Sequence, residues 1–386
     1  MKFGLYIPTR LVFGAGEFKN LSTLPLPGKH ALIVISAGKS MKQNGYLDTL
    51  TEQLDKAGVK HTLFDKITTN PIKSHVMEGT ELCRQQACDF VIGLGGGSSI
   101  DTAKAIAITA ACGGDFWDYI HGGTGGGKPI TAALPIVAIP TTAGTGTEID
   151  LWGVVTNDET QEKMGFGDPH IYPTLAIVDP ELMLSVPPTL TAYQGFDAFF
   201  HAAEGYISKH HNPISDLYAL EAIRLLYKYL PVAVNDGKDL WARGKVAWAS
   251  TLAGMVESTS GCIGQHAMEH AMSALYPTLP HGAGLIALSQ SFFKTFKNDV
   301  MKRYMKMAEK MTQQKAKRPS DFLDALAVMQ RECGVDKIKL SDWGITGADA
   351  ERITQNAIDT GQMMFDADPR FLNREEITKI YLSSIR

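Results

Sequence analysis

DFVIGLGGGSSIDTAK, residues 89–104, carries the fold in its change of texture. Phe90 to Leu94 is a short apolar run that reads as a buried strand. Gly95-Gly96-Gly97 breaks it, and a helical stretch starts near Ser98. A strand that turns through glycines into a helix is the first half of a βαβ unit. The flanking sequence repeats this plan. Residues 31–35 (ALIVI) read as a strand, 45–57 as a helix, 61–65 (HTLFD) as a strand and 73–86 as a helix. Residues 136–146 (IVAIPTTAGTG) again run from strand into loop. Such alternation predicts a parallel sheet with helices on both faces. The opening residues, through IPTRLVFGAG at 7–16, read as two short strands around Pro8.

The texture changes at Val186-Pro187-Pro188. Beyond it helical periodicity dominates, as in ALEAIRLLYKYL (219–230) and SDFLDALAVMQREC (320–333), and strand-like runs nearly vanish. The expected architecture is an α/β domain over residues 1–185 and an all-α domain over residues 186–386. A chain of 386 residues buries a large core without staples, so a metal here is expected to do chemistry rather than hold the fold. The net charge is −4 with both signs mixed, which lacks the basic stripe of a nucleic-acid binder. No apolar run approaches the roughly 20 residues that cross a bilayer. Five cysteines without a C-x-x-C pair suit a reducing compartment, and a cytoplasmic protein is expected.

Gly95, Gly96, Gly97, Ser98 and Ser99, with Asp101 in the helix that follows, form a candidate anion loop. Glycines let backbone N–H groups approach an anion, and the helix N-terminus adds about half a positive charge. A pyrophosphate is the natural occupant. Neither a G-x-G-x-x-G in a first βαβ unit nor a Walker lysine is present. Thr141, Thr142, Thr145 and Thr147 lie in a second loop, PTTAGTGTE (140–148), and offer donors to a ribose or phosphate. The competing reading makes Thr145 or Thr147 a helix N-cap with Glu148 in the first turn. Two such loops after neighbouring parallel strands point to a ligand in the crevice there.

Asp197 and His201 are four apart in GFDAFFHAAEGY, and His266 and His270 repeat the spacing in GQHAMEHAM. Residues i and i+4 share one helix face. His281 follows in PHGAG. The flanks are apolar, so these groups are costly inside unless paired or ligated. Asp197, His201 and two of the three histidines His266, His270 and His281 make a ligand set suited to Fe²⁺ or Zn²⁺.

With these motifs in hand, the chain resembles the iron-containing (group III) alcohol dehydrogenase family. The resemblance runs over nearly the whole chain: IPTRLVFGAG, GGGSSIDTAKA, PTTAGTGTE, AIVDP at 176–180, GFDAFFHAAE and H-A-M-E-H with the later H-G, in that order. Glycerol dehydrogenase and dehydroquinate synthase are more distant likenesses. The resemblance implies a dehydroquinate synthase-like two-domain architecture, with a dinucleotide-binding α/β domain before an all-α metal-binding domain and the active site in the cleft. It implies Asp197, His201, His266 and His281 as ligands, with His270 in the substrate pocket. The family pattern is departed from at Thr278-Leu279-Pro280, which lengthens the His270-to-His281 spacing by one residue.

The implied activity is reversible hydride transfer between a primary alcohol or aldehyde and a nicotinamide, assisted by the metal as a Lewis acid. His270 is the expected proton relay, and Lys163 is expected to reach the cofactor. Gly38 stands where relatives that use NAD place an acid against the ribose. With Lys39 and Ser40 beside it, the loop leaves room for a 2′-phosphate, so NADP(H) is expected over NAD(H). Trp152 and Glu257 align near the pocket. The partners expected are a small alcohol or aldehyde and a second copy of the chain, with no nucleic acid and no membrane. The alternatives are a glycerol-dehydrogenase- or dehydroquinate-synthase-like metalloenzyme, or a nucleotide-binding protein without turnover.

Overall fold

ALIVI is apolar on both faces, as a strand between two helical layers must be. It forms most of strand His30–Ser36. Ala31, Ile33 and Ile35 enter one core with Phe18, Leu50, Leu54 and Ile92. Leu32 and Val34 enter a second with Val76, Ile106 and Phe166. The computed structural model describes residues 2–385. Its chain divides into two compact units, Tyr6–Ser185 and Val186–Arg386 together with Met1–Leu5.

The first unit runs β1 (Arg10–Phe13), β2 (His30–Ser36), α1 (Ser40–Gln43), α2 (Tyr46–Lys56), β3 (Lys60–Ile67), α3 (Lys73–Gln85), β4 (Phe90–Gly95), α4 (Gly97–Cys112) and β5 (Ile136–Pro140). It then forms β6 (Trp152–Asn157), β7 (Glu162–Gly167) and β8 (Leu175–Val178). Six of these strands make one sheet in the order β1-β8-β5-β4-β2-β3, paired in parallel. From β2 the chain first goes outward to β3, then returns to β4 on the other side. The strand order therefore reverses between β2 and β4, where open α/β sheets bind ligands.

Two sequence expectations need correction. Among the described residues before Pro8 there is no strand; Phe3, Leu5 and Tyr6 are exposed, and only Arg10–Phe13 finds a partner. Proline has no N–H to give a ladder, so it marks the approach to the strand and not its middle. The second loop does not cap a helix. It passes through turns into the β6–β7 antiparallel hairpin, which alternation of parallel strands and helices does not foretell. Gln161 closes that hairpin at φ +57, in the left-handed region that tight turns need.

The second unit is helical throughout, with no strand among the described residues. It contains α5 (Pro188–Ile207), α6 (Pro213–Asn235), α7 (Leu240–Ser260), α8 (Gly264–Leu275), α9 (His281–Thr295), α10 (Met301–Thr312), α11 (Ser320–Glu332), α12 (Ala350–Thr360), α13 (Gln362–Asp366) and α14 (Arg374–Ser384). Residues 195–207 of α5 are buried without a break, so this helix runs through the centre of the unit and not along its surface. Its Phe199 stacks on Phe322 and its Phe200 on Phe293, with Tyr304 closing the aromatic cluster. Among the described residues no helix is long and apolar enough to cross a membrane.

Candidate functional site

Three helices bring the titratable residues of the second unit to one point. On α5, Asp197 and His201 lie one turn apart. On α8, His266 and His270 do the same, and His281 is the first residue of α9. Three imidazoles surround one carboxylate oxygen. Asp197 Oδ1 is 3.6 Å from His201 Nε2, 3.5 Å from His266 Nε2 and 3.4 Å from His281 Nε2. Donors bound at about 2.1 Å to a tetrahedral cation stand about 3.4 Å apart, so these distances fit a shared ion better than direct hydrogen bonds. Two atoms support the same fit. Asp197 Oδ1 and His266 Nε2 are buried and have no hydrogen-bond partner, a costly arrangement unless a cation satisfies both. Burial works to raise the Asp197 pKa, but His201, His281 and His266 outweigh it and hold the carboxyl well below the usual range. The ring of His270 lies 5.5 Å from that of His281 and 6.3 Å from that of His266, beside the set.

The histidines are aimed from behind by carboxylates that the sequence did not single out. Glu204 lies on α5 and is fully buried. Its Oε1 is 2.6 Å from His266 Nδ1, and its Oε2 accepts the Ile263 N–H at 2.8 Å. Glu269, also fully buried, meets His281 Nδ1 and accepts from Ser273 Oγ. A carboxylate on Nδ1 fixes the proton there and leaves Nε2 as the donor atom for a metal. The start of α8 has no local side-chain cap. Glu204 caps it at Ile263 and Asp368 at Gly264, whose N–H donates to Asp368 Oδ1 at 2.9 Å. Burial pushes the Asp368 carboxyl up to about 8. Glu257 on α7 reaches within 3.9 Å of His201 Nε2. Burial holds the neighbouring Cys262 thiol well above its usual range.

The backing carboxylates give a direct expectation. Glu269→Gln keeps shape but loses the charge that holds His281. Metal affinity should fall about 10–100-fold, measured by competition with a chromophoric chelator. Unchanged affinity would mean that His281 needs no such support.

In the first unit, the loops after β2, β4 and β5 adjoin at the reversal point. Gly95 has φ +150, and a Cβ there would lie 2.6 Å from Ser99 Oγ. A Cβ on Gly97 would meet Thr145 Cγ2 at 2.5 Å, and one on Gly96 would meet Thr142 Oγ1 at 3.3 Å. The glycine loop thus lies against Thr142 and Thr145 with no room for side chains. Gly96, Gly97, Ser98, Thr142 and Thr145 stay partly open, whereas Ser99 and Thr141 are buried. The first turn of α4 has no side-chain cap, which leaves its N–H dipoles for an anion. Gly38, Lys39 and Ser40 are exposed at the end of β2, with Lys39 directly before α1.

Asp101 and Thr147 do not fit the cofactor role expected of them. Both are buried, and Thr147 Oγ1 donates to Asp101 Oδ1 at 2.8 Å, while Val154 N–H donates to Asp101 Oδ2. Burial pushes the Asp101 carboxyl up to about 7, against the pull of Lys104. Their work is to tie α4 to the second loop and to β6. Lys104 completes this tie. Fully buried, its Nζ reaches Asp150 Oδ1 at 2.8 Å, Asp150 O at 3.0 Å and Trp152 O at 2.6 Å. Lys163 is buried on β7 opposite Thr156.

Known proteins were compared with this geometry in view. A family model described as iron-containing alcohol dehydrogenase matches residues 8–180, and its C-terminal companion matches residues 191–385. The chain is 39% identical over 279 residues to an NAD-dependent methanol dehydrogenase of Bacillus methanolicus, covering 72% of this chain and 71% of that protein. It is 34% identical over 390 residues to a choline dehydrogenase of Bacillus subtilis, covering 97% and 93%. A solved archaeal alcohol dehydrogenase from a Red Sea brine pool superposes with a TM-score of 0.95 at 32% identity, over 100% of this chain and 99% of that one.

Proposed function

Because the chain belongs to the iron-containing alcohol dehydrogenase family, we propose that it interconverts a small primary alcohol and its aldehyde with a nicotinamide cofactor, NADP(H) favoured. An alcohol/aldehyde oxidoreductase is what the family and its relatives establish; the cofactor preference and the residue roles are the proposal. The observation that carries it is the ring of three Nε2 atoms around the orphaned Oδ1 of Asp197.

Asp197, His201, His266 and His281 would hold the divalent cation. Bound there, it supplies Lewis acidity toward the substrate oxygen, and the nicotinamide supplies the hydride chemistry. Glu204 and Glu269 keep the Nδ1 protons of His266 and His281 in place, so both Nε2 atoms stay available. His270, beside the ligands, carries a proton between the substrate oxygen and solvent through its imidazole. The open amides of Gly97 and Ser98 at the start of α4 hold the cofactor pyrophosphate, with Thr142 and Thr145 alongside. Lys163 is assigned to the same cofactor. A cytoplasmic homodimer completes the reading, and sedimentation of the purified protein tests the dimer.

The NADP(H) preference rests on Gly38, Lys39 and Ser40. An acid at this strand end repels a 2′-phosphate; a glycine followed by an exposed lysine does not. Gly38→Asp should shift the kcat/KM ratio toward NADH by at least about tenfold, about 1.4 kcal/mol of discrimination. Parallel kinetics with both cofactors check it, and a wild-type preference for NADH overturns it.

A further inference from the structure

Cys262 has no role in the chemistry above, yet it stands at the metal centre. It lies in the short link between α7 and α8 and is half-buried. Cys262 Sγ, a ring nitrogen of His201 and a ring nitrogen of His266 lie within 4.8 Å of one another. Asp197, His266 and His281 form a second set by the same measure. The two sets share His266. Glu257 connects the thiol to the ligands: its Oε1 accepts from Cys262 Sγ at 3.8 Å, and its Oε2 lies 3.9 Å from His201 Nε2. Independently of the cysteine, His266 Nε2 is buried with no hydrogen-bond partner, as is Asp197 Oδ1. What both atoms lack is a cation, and the thiol flanks the same histidine.

We propose that Cys262 is a sulfur ligand of this metal centre and biases it toward zinc over iron. The inference rests on the reading of Asp197, His201 and His266 as metal ligands. Ligation forms a metal–sulfur bond and breaks the S–H bond, and the proton leaves to solvent; a coordinated thiol is deprotonated by the ion it binds. Thiolate is a soft donor, and soft donors favour zinc, whereas nitrogen and oxygen donors alone accept ferrous iron readily. Glu257 is then a positioning residue that keeps Sγ on the His201 side.

Cobalt(II) separates occupancy from ligand identity. Full-length protein is stripped of metal and loaded with Co²⁺. The visible d–d bands report that the ion is bound, and a near-ultraviolet sulfur-to-cobalt charge-transfer band reports a thiolate ligand. Wild type should show both. Cys262→Ser should lose the near-ultraviolet band and keep the visible ones, and its preference for Zn²⁺ over Fe²⁺ in competition should narrow. Cys112→Ser, in the α/β unit, should keep both bands. Visible bands without the charge-transfer band in wild type would overturn the sulfur ligand and leave the metal centre standing. Absence of both would sink the metal centre and this inference together. Should Cys262→Ser fail to fold, thiol alkylation of wild type with and without Zn²⁺ decides: protection of Cys262 by metal supports ligation, and equal labelling overturns it.

Discussion

Asp197→Asn should cost the enzyme its cation and about a thousandfold or more of kcat. The substitution keeps the side chain's shape and removes its charge. Asp197 is the one acidic member of the proposed ligand set, and its Oδ1 is the atom around which the three Nε2 atoms gather. Lewis-acid stabilisation of a developing oxyanion contributes several kcal/mol, and each 1.4 kcal/mol is about tenfold in rate. Elemental analysis after dialysis and kcat with a short aldehyde give the two readouts. The helical core is held by Phe199, Phe200, Phe293, Phe322 and Tyr304, so the variant should keep its helical circular dichroism. Full metal content with wild-type turnover would place the reaction elsewhere.

Lys104→Met should destabilise the α/β unit by about 3–5 kcal/mol, the range for stranding one member of a buried ion pair. Lys104 is fully buried and Asp150 nearly so, and their atoms are 2.8 Å apart. Methionine fills the volume but leaves Asp150 charged, removes the donors to Asp150 O and Trp152 O, and takes away the cation nearest Asp101. For a unit of this size the loss corresponds to a fall in Tm on the order of 10 °C. The β6–β7 hairpin and the second loop hang on these contacts, so cofactor affinity should weaken as well. The double variant with Asp150→Asn should regain much of the stability, since the stranded charge is then gone. A single variant as stable as wild type would show that the pair contributes nothing net.

The metal helices were legible because both pairs obey one local rule. Asp197 with His201, and His266 with His270, are four apart in apolar surroundings, and i, i+4 spacing needs no knowledge of the fold. Spacing alone could not choose between His270 and His281. His281 joins from another helix, and the structure brings its Nε2 to 3.4 Å from Asp197 Oδ1. Glu204 was invisible because its partner His266 is 62 residues away. Glu269 lies between the two histidines of HAMEH and was passed over for them, although a buried acid in an apolar helix face is itself a signal. Asp101 was misread for the opposite reason. It sits in the right motif, at the right distance from the glycines, but helical geometry turns it toward Thr147 and Val154. The hairpin at Trp152–Gly167 left a weaker trace, since it has two exposed or half-exposed ends and a turn without a glycine.

The sheet order carries a consequence for synthesis. β1 pairs with β8, and the amides of Gly16 and Phe18 donate to Asp179, more than 160 residues later. The first strand to leave the ribosome therefore has no partner until the last strand of its sheet has followed it. During that interval β4, β5 and the helices on them can form, because their neighbours are already present, while the β5 side of the sheet stays an open edge. At about 5–20 residues per second the delay lasts on the order of ten seconds or more. For that time an apolar strand edge is exposed to other nascent chains, and the α/β unit is the part of the molecule with most to gain from a chaperone.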